Sequence, residues 1–222
     1  MAKTLAQCQA RVYSIVKVDP DKAAAGHYSR DNVTAALNTI QRFIAKSAVP
    51  AALGGLVQRT THPLEPSSPS CFFKSGMGKG RVLMLAKDAA MTEEIEILSM
   101  KDWIALGKSE QFSSSNLRTY SAMEAGAVIY LRPVLTAPMT ISEFYVLDPT
   151  DMSDSGNALS LPDDWFEWVC ILSAEYLLMN AGESKQFEDV RKMEAGWSAQ
   201  FRSQYGANPP RVAAPAPSGE VA

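Results

Sequence analysis

The stretch LPDDWFEWVCILSAEYLLMNAGESKQFEDVRKMEAGWSAQFRSQY, residues 161–205, is the most informative part of the chain because its periodicity predicts two consecutive helices. Pro162 suits the first helical position, and Asn180 to Gly182 mark the end of the first helix. Apolar residues of that helix extend well beyond one face, so we expect one side to pack in the subunit core and another to contact a neighbouring subunit. The predicted subunit-interface residues are Trp165, Trp168, Ile171 and Leu178. Plain core packing is the alternative for the tryptophans, because aromatic stripes at helical spacing usually belong to a core.

The N-terminal region predicts two further helices. Thr4 is a candidate N-cap of a short amphipathic helix that ends near Lys17. A second helix is expected to begin at Ser29 or Asp31 and to stop before Pro50. Two amphipathic helices joined by a loop predict a helical hairpin.

Between residues 56 and 148 the pattern changes to short runs rich in β-branched and aromatic residues, separated by Gly, Pro and Ser. The clearest hairpin is TYSAMEAGAVIYL, residues 119–131, with its turn near Gly126. The segment MKDWIALGK, residues 100–108, predicts one or two helical turns between strands.

Together these patterns predict an α+β fold. Residues 1–55 form an N-terminal helical hairpin, and residues 56–150 form an inserted antiparallel β-rich region. Residues 151–205 form a C-terminal hairpin that packs on the first one, which gives a four-helix bundle-like portion. Residues 206–222, GANPPRVAAPAPSGEVA, predict an extended, polyproline-like C-terminal arm.

The composition argues against several classes of function. The 21 basic and 24 acidic residues give a formal charge of −3, which does not favour tight binding to nucleic-acid phosphates. The three cysteines are odd in number and far apart, as expected for reduced thiols rather than a disulfide framework. No leader or membrane-spanning pattern is recognisable, so we expect a soluble protein made in a cytosol.

Candidate chemistry is sparse. The glycine-rich SGMGKGR, residues 75–81, lacks the Ser or Thr that follows Lys in a phosphate loop, and a plain inter-strand loop explains it better. His27 and His62 stand in turns without a recognisable nucleophile. The acidic loop from Asp148 to Asn157 lacks the final Glu of an EF-hand, so capping of the next helix is favoured over a weak calcium site. We therefore expect no catalytic residues, no metal and no cofactor.

The order helix-helix, sheet, helix-helix resembles the head-to-tail connector (adaptor) proteins of tailed bacteriophages, notably those of short-tailed phages. The resemblance covers most of residues 4–205 and depends on patterns of residue class. Its segments are YSRDNVTAALNTIQRFIAK, the strand and proline in ISEFYVLDP, the acidic loop, LPDDWFEWVCILSAEYLLM and FEDVRKMEAGWSAQF. The segment PLEPSSPSCFFKSGMGKGR has no counterpart in that pattern.

The resemblance implies a non-enzymatic ring of about a dozen identical subunits below the portal protein, in the neck of the virion. Double-stranded DNA would pass through the ring without specific binding, the β-rich part would attach the tail or nozzle protein, and no membrane would be involved. The C-terminal arm would bind the portal. The arm residues assigned to portal binding are Pro209, Pro210, Arg211, Val212, Pro215 and Pro217.

There are two alternatives, one within the structural class and one from another class. A tail stopper or terminator protein would also form a ring, but the four predicted helices argue against its usual sheet-dominated architecture. A small α+β ligand-binding protein or enzyme would use the loop from Gly76 to Arg81 or the acidic loop, and nucleotide or calcium would then stabilise it against melting.

Overall fold

The computed structural model describes residues 2–21, 26–66, 71–75, 81–108, 120–133 and 135–210. The chain divides into two compact units, a helical unit of Met1–Gly54 with Pro149–Ala222 and a sheet unit of Gly55–Asp148. The helices are α1 (Leu5–Val16), α2 (Arg30–Ser47), α3 (Met100–Lys108), α4 (Phe166–Ala181) and α5 (Ser184–Tyr205). The strands are β1 (Val57–Leu64), β2 (Cys71–Phe73), β3 (Arg81–Lys87), β4 (Glu93–Leu98), β5 (Ser121–Ala125), β6 (Val128–Arg132) and β7 (Met139–Val146).

Helix α4 is the centre of the helical unit. It packs against α1, α2 and α5, and its buried positions run continuously from Trp168 to Glu175. A helix that is apolar on all sides must be covered on all sides. The chain itself supplies that cover, so the width of the apolar arc reflects burial within one subunit.

The capping of α1 follows from the sequence and from a distant loop. Thr4 Oγ1 accepts a hydrogen bond from the backbone of Gln7, whose side chain accepts one from the backbone of Thr4, which confirms the predicted cap. The next free amides, of Leu5 and Ala6, donate to the carbonyls of Asn157 and Ser155. The loop between Asp148 and Asn157 therefore supplies hydrogen-bond acceptors for the free amides at the start of α1. The sequence pattern predicts that this loop caps the following helix instead, and that prediction is wrong.

The sheet unit contains seven strands in the order β1-β7-β3-β4-β5-β6-β2. Neighbouring strands are antiparallel except β4 and β5, which are parallel and are connected through α3. The hairpin of β5 and β6 confirms the predicted one, and Gly126 in its turn has a φ of 62°. The two outer strands approach each other, because the ring of His62 in β1 lies 4.4 Å from that of Phe72 in β2. The sheet is thereby a nearly closed barrel.

The interior of this barrel is an apolar core, to which each of the seven strands contributes at least one residue. Its buried members are Leu64, Phe72, Leu85, Ile95, Ala122, Ile129, Leu131, Leu135, Met139 and Ile141. The sheet unit thus has a hydrophobic core of its own.

The fold is mixed α/β, and the predicted α+β fold with a four-helix bundle-like portion and an antiparallel insertion is wrong. In a four-helix bundle each helix keeps a polar outer stripe, whereas α4 is enclosed by three other helices. The insertion holds a fifth helix and a parallel strand pair. A parallel pair needs a crossover connection, and the nine residues of α3 lie within it.

Candidate interaction surfaces

An aromatic array lies between α4 and α5. Trp197, Phe201 and Tyr205 follow one another at four-residue spacing on α5, so they share one face of that helix. Trp197 stacks on Trp168 at a centroid distance of 4.5 Å and on Phe201 at 5.1 Å, while Tyr205 lies 4.7 Å from Phe201. Trp165 contacts Trp197 and Phe201 at 5.6 and 5.0 Å. We call these five residues the aromatic array.

The chain returns to this array after α5 ends. Gly206, with a φ of 66°, adopts the left-handed conformation that terminates many helices. Pro209 and Pro210 are buried, and the indole Nε1 of Trp168 donates a hydrogen bond of 3.2 Å to the carbonyl of Pro210. The polar atom of a fully buried tryptophan is thereby paired with the backbone of the following segment.

The structure corrects the predicted subunit interface. Trp165, Trp168, Ile171 and Leu178 are only 0–3% exposed within a single chain. The indole of Trp165 also donates to the carbonyl of Ala52 at 2.6 Å, which ties α4 to the end of the N-terminal helical segment. Side chains enclosed in this way present no surface to a neighbouring subunit, so these four residues belong to the core.

The predicted portal-binding arm is only partly visible. Pro209 and Pro210 are held against their own helical unit and do not project from it. Arg211, Val212, Pro215 and Pro217 lie outside the described residues, and their portal contact stays a prediction.

A buried polar cluster lies inside the sheet unit. Glu143 of β7 is 0% exposed, and its Oε2 lies 2.7 Å from Nε2 of His62 on β1. The backbone amide of Ser75, just after β2, donates to both carboxylate oxygens at 3.0 and 3.1 Å. Lys74, the preceding residue, is also buried and pairs with Glu124 of β5 at 2.6 Å. Lys74 and Ser75, which follow β2, therefore bind the carboxylates of two other strands, β5 and β7.

The electrostatics of Glu143 follow from these contacts. Burial alone would raise the pKa of its carboxyl, but the hydrogen bonds from His62 and Ser75 outweigh burial and hold the pKa below its usual value. Glu143 is therefore charged at neutral pH, and its charge is compensated.

The same cluster brings a serine close to a histidine and an acid. Ser75 Oγ lies 3.4 Å from Nε2 of His62, and Glu143 contacts that same nitrogen. A catalytic relay needs the nucleophile and the acid on the two different ring nitrogens, so that the imidazole can take one proton while the acid holds the other. The geometry is that of a contact that joins β1 and β7 to the end of β2, and not that of a relay that activates Ser75. Glu143 is absent from the residues predicted from sequence. Its position between Ile141 and Tyr145 on the inward face of an apolar strand would have indicated a buried carboxylate.

Exposed apolar residues are concentrated on the sheet unit. Seven large hydrophobic residues are exposed in the described part of the chain, and all except Met193 lie between Phe73 and Tyr130. Phe73 is 76% and Tyr130 40% exposed. The register of β2 and β6 places both on the outer face, where Cys71 opposes Tyr130 and Val128 opposes Phe73. We call these four residues the outer patch.

A second exposed apolar group lies on α3. Met100 and Ile104 are 53% and 50% exposed, on the same side of the helix at four-residue spacing. Trp103 is buried instead, with the guanidinium of Arg132 4.3 Å from its ring centroid. Helix α3 contacts β4 and β5, so it is anchored to the sheet while its apolar tip faces outward.

The other candidate sites do not assemble. The acidic loop is occupied internally, since Asp151 pairs with Arg42 and the side chain of Asn157 accepts from the amides of Ser153 and Asp154. No group of three potential metal ligands occurs among the residues that the structure describes. Cys8 and Cys170 are buried free thiols, and Cys71 is partly exposed. Residues 76–80 of the glycine-rich loop lie outside the described residues.

The chain matches no protein-family model, and a comparison with curated proteins finds no match. No helix in the described ranges is long and apolar enough to cross a membrane.

Proposed function

We propose that the protein is a head-to-tail connector subunit of a tailed bacteriophage, a structural protein without enzymatic activity. About a dozen copies would form a ring below the portal, extend the DNA channel and present the attachment surface for the tail protein. The order of elements that carries the resemblance supports this proposal, since α1 and α2 precede the sheet and α4 and α5 follow it.

The observation that carries the proposal is the exposed apolar surface of the sheet unit. Phe73 and Tyr130 on the outer patch, with Met100 and Ile104 on α3, are large side chains left in water by the folded chain. Aromatic residues and methionine are enriched where proteins bind one another. A closed ring needs such surface, because each subunit must contact two neighbours and the next component.

The charge of the chain supports a passive channel. With 21 basic and 24 acidic residues, the subunit has no excess of cations to bind the phosphates of passing DNA. Strong phosphate contacts would slow the DNA during packaging and ejection.

Co-assembly with the portal protein of the same virus tests the proposal. The wild-type chain should sediment with the portal and form rings on it in electron micrographs. Phe73→Ser with Tyr130→Ser should weaken ring formation by the portal-bound subunits about 10-fold or more, because truncation of each interface aromatic residue should cost about 1 kcal/mol or more. Met193→Ser is the control, since Met193 lies on the helical unit and is as exposed as Tyr130, at 41% against 40%. A wild-type chain that stays unbound at micromolar portal concentrations would exclude the connector function.

A tail stopper or terminator ring is the second candidate, favoured by the nearly closed seven-stranded sheet. Such a protein would bind the end of the tail tube. Binding to tail tubes but not to the portal, with the same dependence on Phe73 and Tyr130, would select it over the connector.

A further inference from the structure

A small cavity opens beside the aromatic array in the helical unit. It has a volume of about 80 Å³, and it is lined by four members of the array, Trp165, Trp197, Phe201 and Tyr205, together with Asp164 and Gln204. Asp164 lies just before α4, and Gln204 lies in the last turn of α5. Aromatic rings and a carboxylate therefore border one space of limited size.

The electrostatics of this cavity favour a cation. Asp164 is exposed, and none of the ion pairs among the described residues includes its carboxylate. Burial and, to a lesser degree, the charge of Asp164 raise the pKa of the Tyr205 phenol, so Tyr205 is neutral at pH 7. The faces of aromatic rings carry partial negative charge and attract cations within about 6 Å of the ring centre. The carboxylate and the rings thus favour the same kind of ligand.

The polar lining supplies hydrogen-bond acceptors. The side-chain nitrogen of Gln204 donates to the hydroxyl of Tyr205 at 3.1 Å, which leaves the amide oxygen of Gln204 as an acceptor. The ionised carboxylate of Asp164 is also only an acceptor. A primary ammonium group has only donors, so its hydrogen-bonding groups are complementary to this lining.

The size of the cavity limits which cation can enter. A cavity of about 150 Å³ holds benzene, which has six heavy atoms, so about 80 Å³ holds roughly three. The end of a lysine side chain, its nitrogen with the last two carbons, is of this size. A trimethylated nitrogen with its carbons is larger. The volume therefore favours a primary ammonium group over a quaternary one.

We propose that this cavity binds the ammonium group of a lysine side chain on the surface of a partner protein. The nitrogen lies beside the aromatic rings and donates to Asp164 and Gln204, while the apolar stem of the lysine fills the opening. The site uses residues of the helical unit and none of the outer patch. It does not depend on the connector function.

Binding of a lysine derivative to the full chain tests this site. The probe is N-acetyl-lysine methylamide, and the matched neutral ligand is N-acetyl-norleucine methylamide, in which a methyl group replaces the ammonium. Three of the four tryptophans belong to the array, so tryptophan fluorescence reports binding. At equal ionic strength the lysine probe should bind about 10-fold more tightly than the norleucine ligand, because only the ammonium is attracted by the rings and the carboxylate. Equal affinities, or no saturable response to the lysine probe, would overturn the site.

Two pairs of variants separate the charge and the ring from general effects. Asp164→Asn should weaken binding of the lysine probe about 3-fold or more. Asp163→Asn makes the same change of net charge at the neighbouring residue and should leave binding nearly unchanged. Tyr205→Leu should also weaken binding about 3-fold, whereas Tyr205→Phe keeps the aromatic ring and should retain most of the affinity. Equal weakening by both members of either pair would contradict the site.

A trimethyl-lysine probe tests the size limit. It should bind more weakly than the lysine probe, because its head exceeds the volume of the cavity. Tighter binding of the trimethylated probe would assign the cavity to a quaternary ammonium group and would overturn the proposal for lysine. None of these outcomes bears on co-assembly with the portal.

Discussion

Replacing Trp168 by alanine tests whether α4 is a core helix or an interface helix. Trp168 is fully buried, stacks on Trp197 and donates its indole N–H to Pro210. Truncation of a buried aromatic residue to alanine costs about 3–5 kcal/mol, and the unpaired carbonyl left behind adds about 1 kcal/mol. Most domains are stable by only about 5–15 kcal/mol, so Trp168→Ala should lose a large part of the stability of the helical unit.

Urea denaturation of the isolated, monomeric chain, followed by far-ultraviolet circular dichroism, gives the measurement. Trp168→Phe keeps an apolar ring but loses the hydrogen bond, and should cost about 1–2 kcal/mol. Met193→Ala, on the exposed side of α5, is the control and should change stability by no more than about 0.5 kcal/mol. If Trp168→Ala unfolds at the same urea concentration as Met193→Ala, Trp168 is not a core residue and α4 is not enclosed within one chain.

Three further perturbations test other parts of the fold. Glu143→Gln should destabilise the sheet unit by about 1–3 kcal/mol at pH 7. Because folding lowers the pKa of Glu143, the stabilising contribution of its carboxylate in the wild type should be lost as the pH falls below about 4.3. Acid unfolding curves that are the same for the wild type and Glu143→Gln would contradict the cluster with His62. Asn38→Ala should cost about 1–3 kcal/mol in thermal or urea melts, since one amide pairs with both backbone groups of the buried Met152 at 2.9 and 3.0 Å; an unchanged melt would rule this bridge out. Thr4→Ala should cost about 1 kcal/mol and speed amide exchange in the first turn of α1, whereas Thr4→Ser should restore both.

Local features are predictable from sequence because their causes are local. The cap at Thr4 depends on residues four to seven, and the hairpin around Gly126 depends on the turn and its flanking strands. The two C-terminal helices and their boundary at Gly182 also follow from nearby residues.

What covers an apolar surface is not a local property. The helical wheel of α4 shows how wide its apolar arc is, but it does not show that α1, α2 and α5 enclose it. The predicted contact of this arc with a neighbouring subunit is wrong for that reason. Among the described residues, six of the seven exposed large apolar side chains lie in the sheet unit instead. The pairing of strands far apart in sequence, such as β1 with β7, likewise cannot be predicted from a single sequence.

The polar cluster shows the same difficulty at one site. His62, Ser75 and Glu143 come from three separated segments, and only the closure of the sheet brings them together. No spacing in the sequence links them. An acid at an inward position of β7 is the one local indication that a buried partner must exist.

Electron cryomicroscopy of the chain mixed with the portal protein of the same virus tests the proposed connector function most directly. We predict a closed ring of subunits bound to the portal, with Phe73 and Tyr130 in intermolecular contacts and Trp168 enclosed within each subunit. Portal particles without added density, or a ring in which Phe73 and Tyr130 remain in solvent, would contradict it.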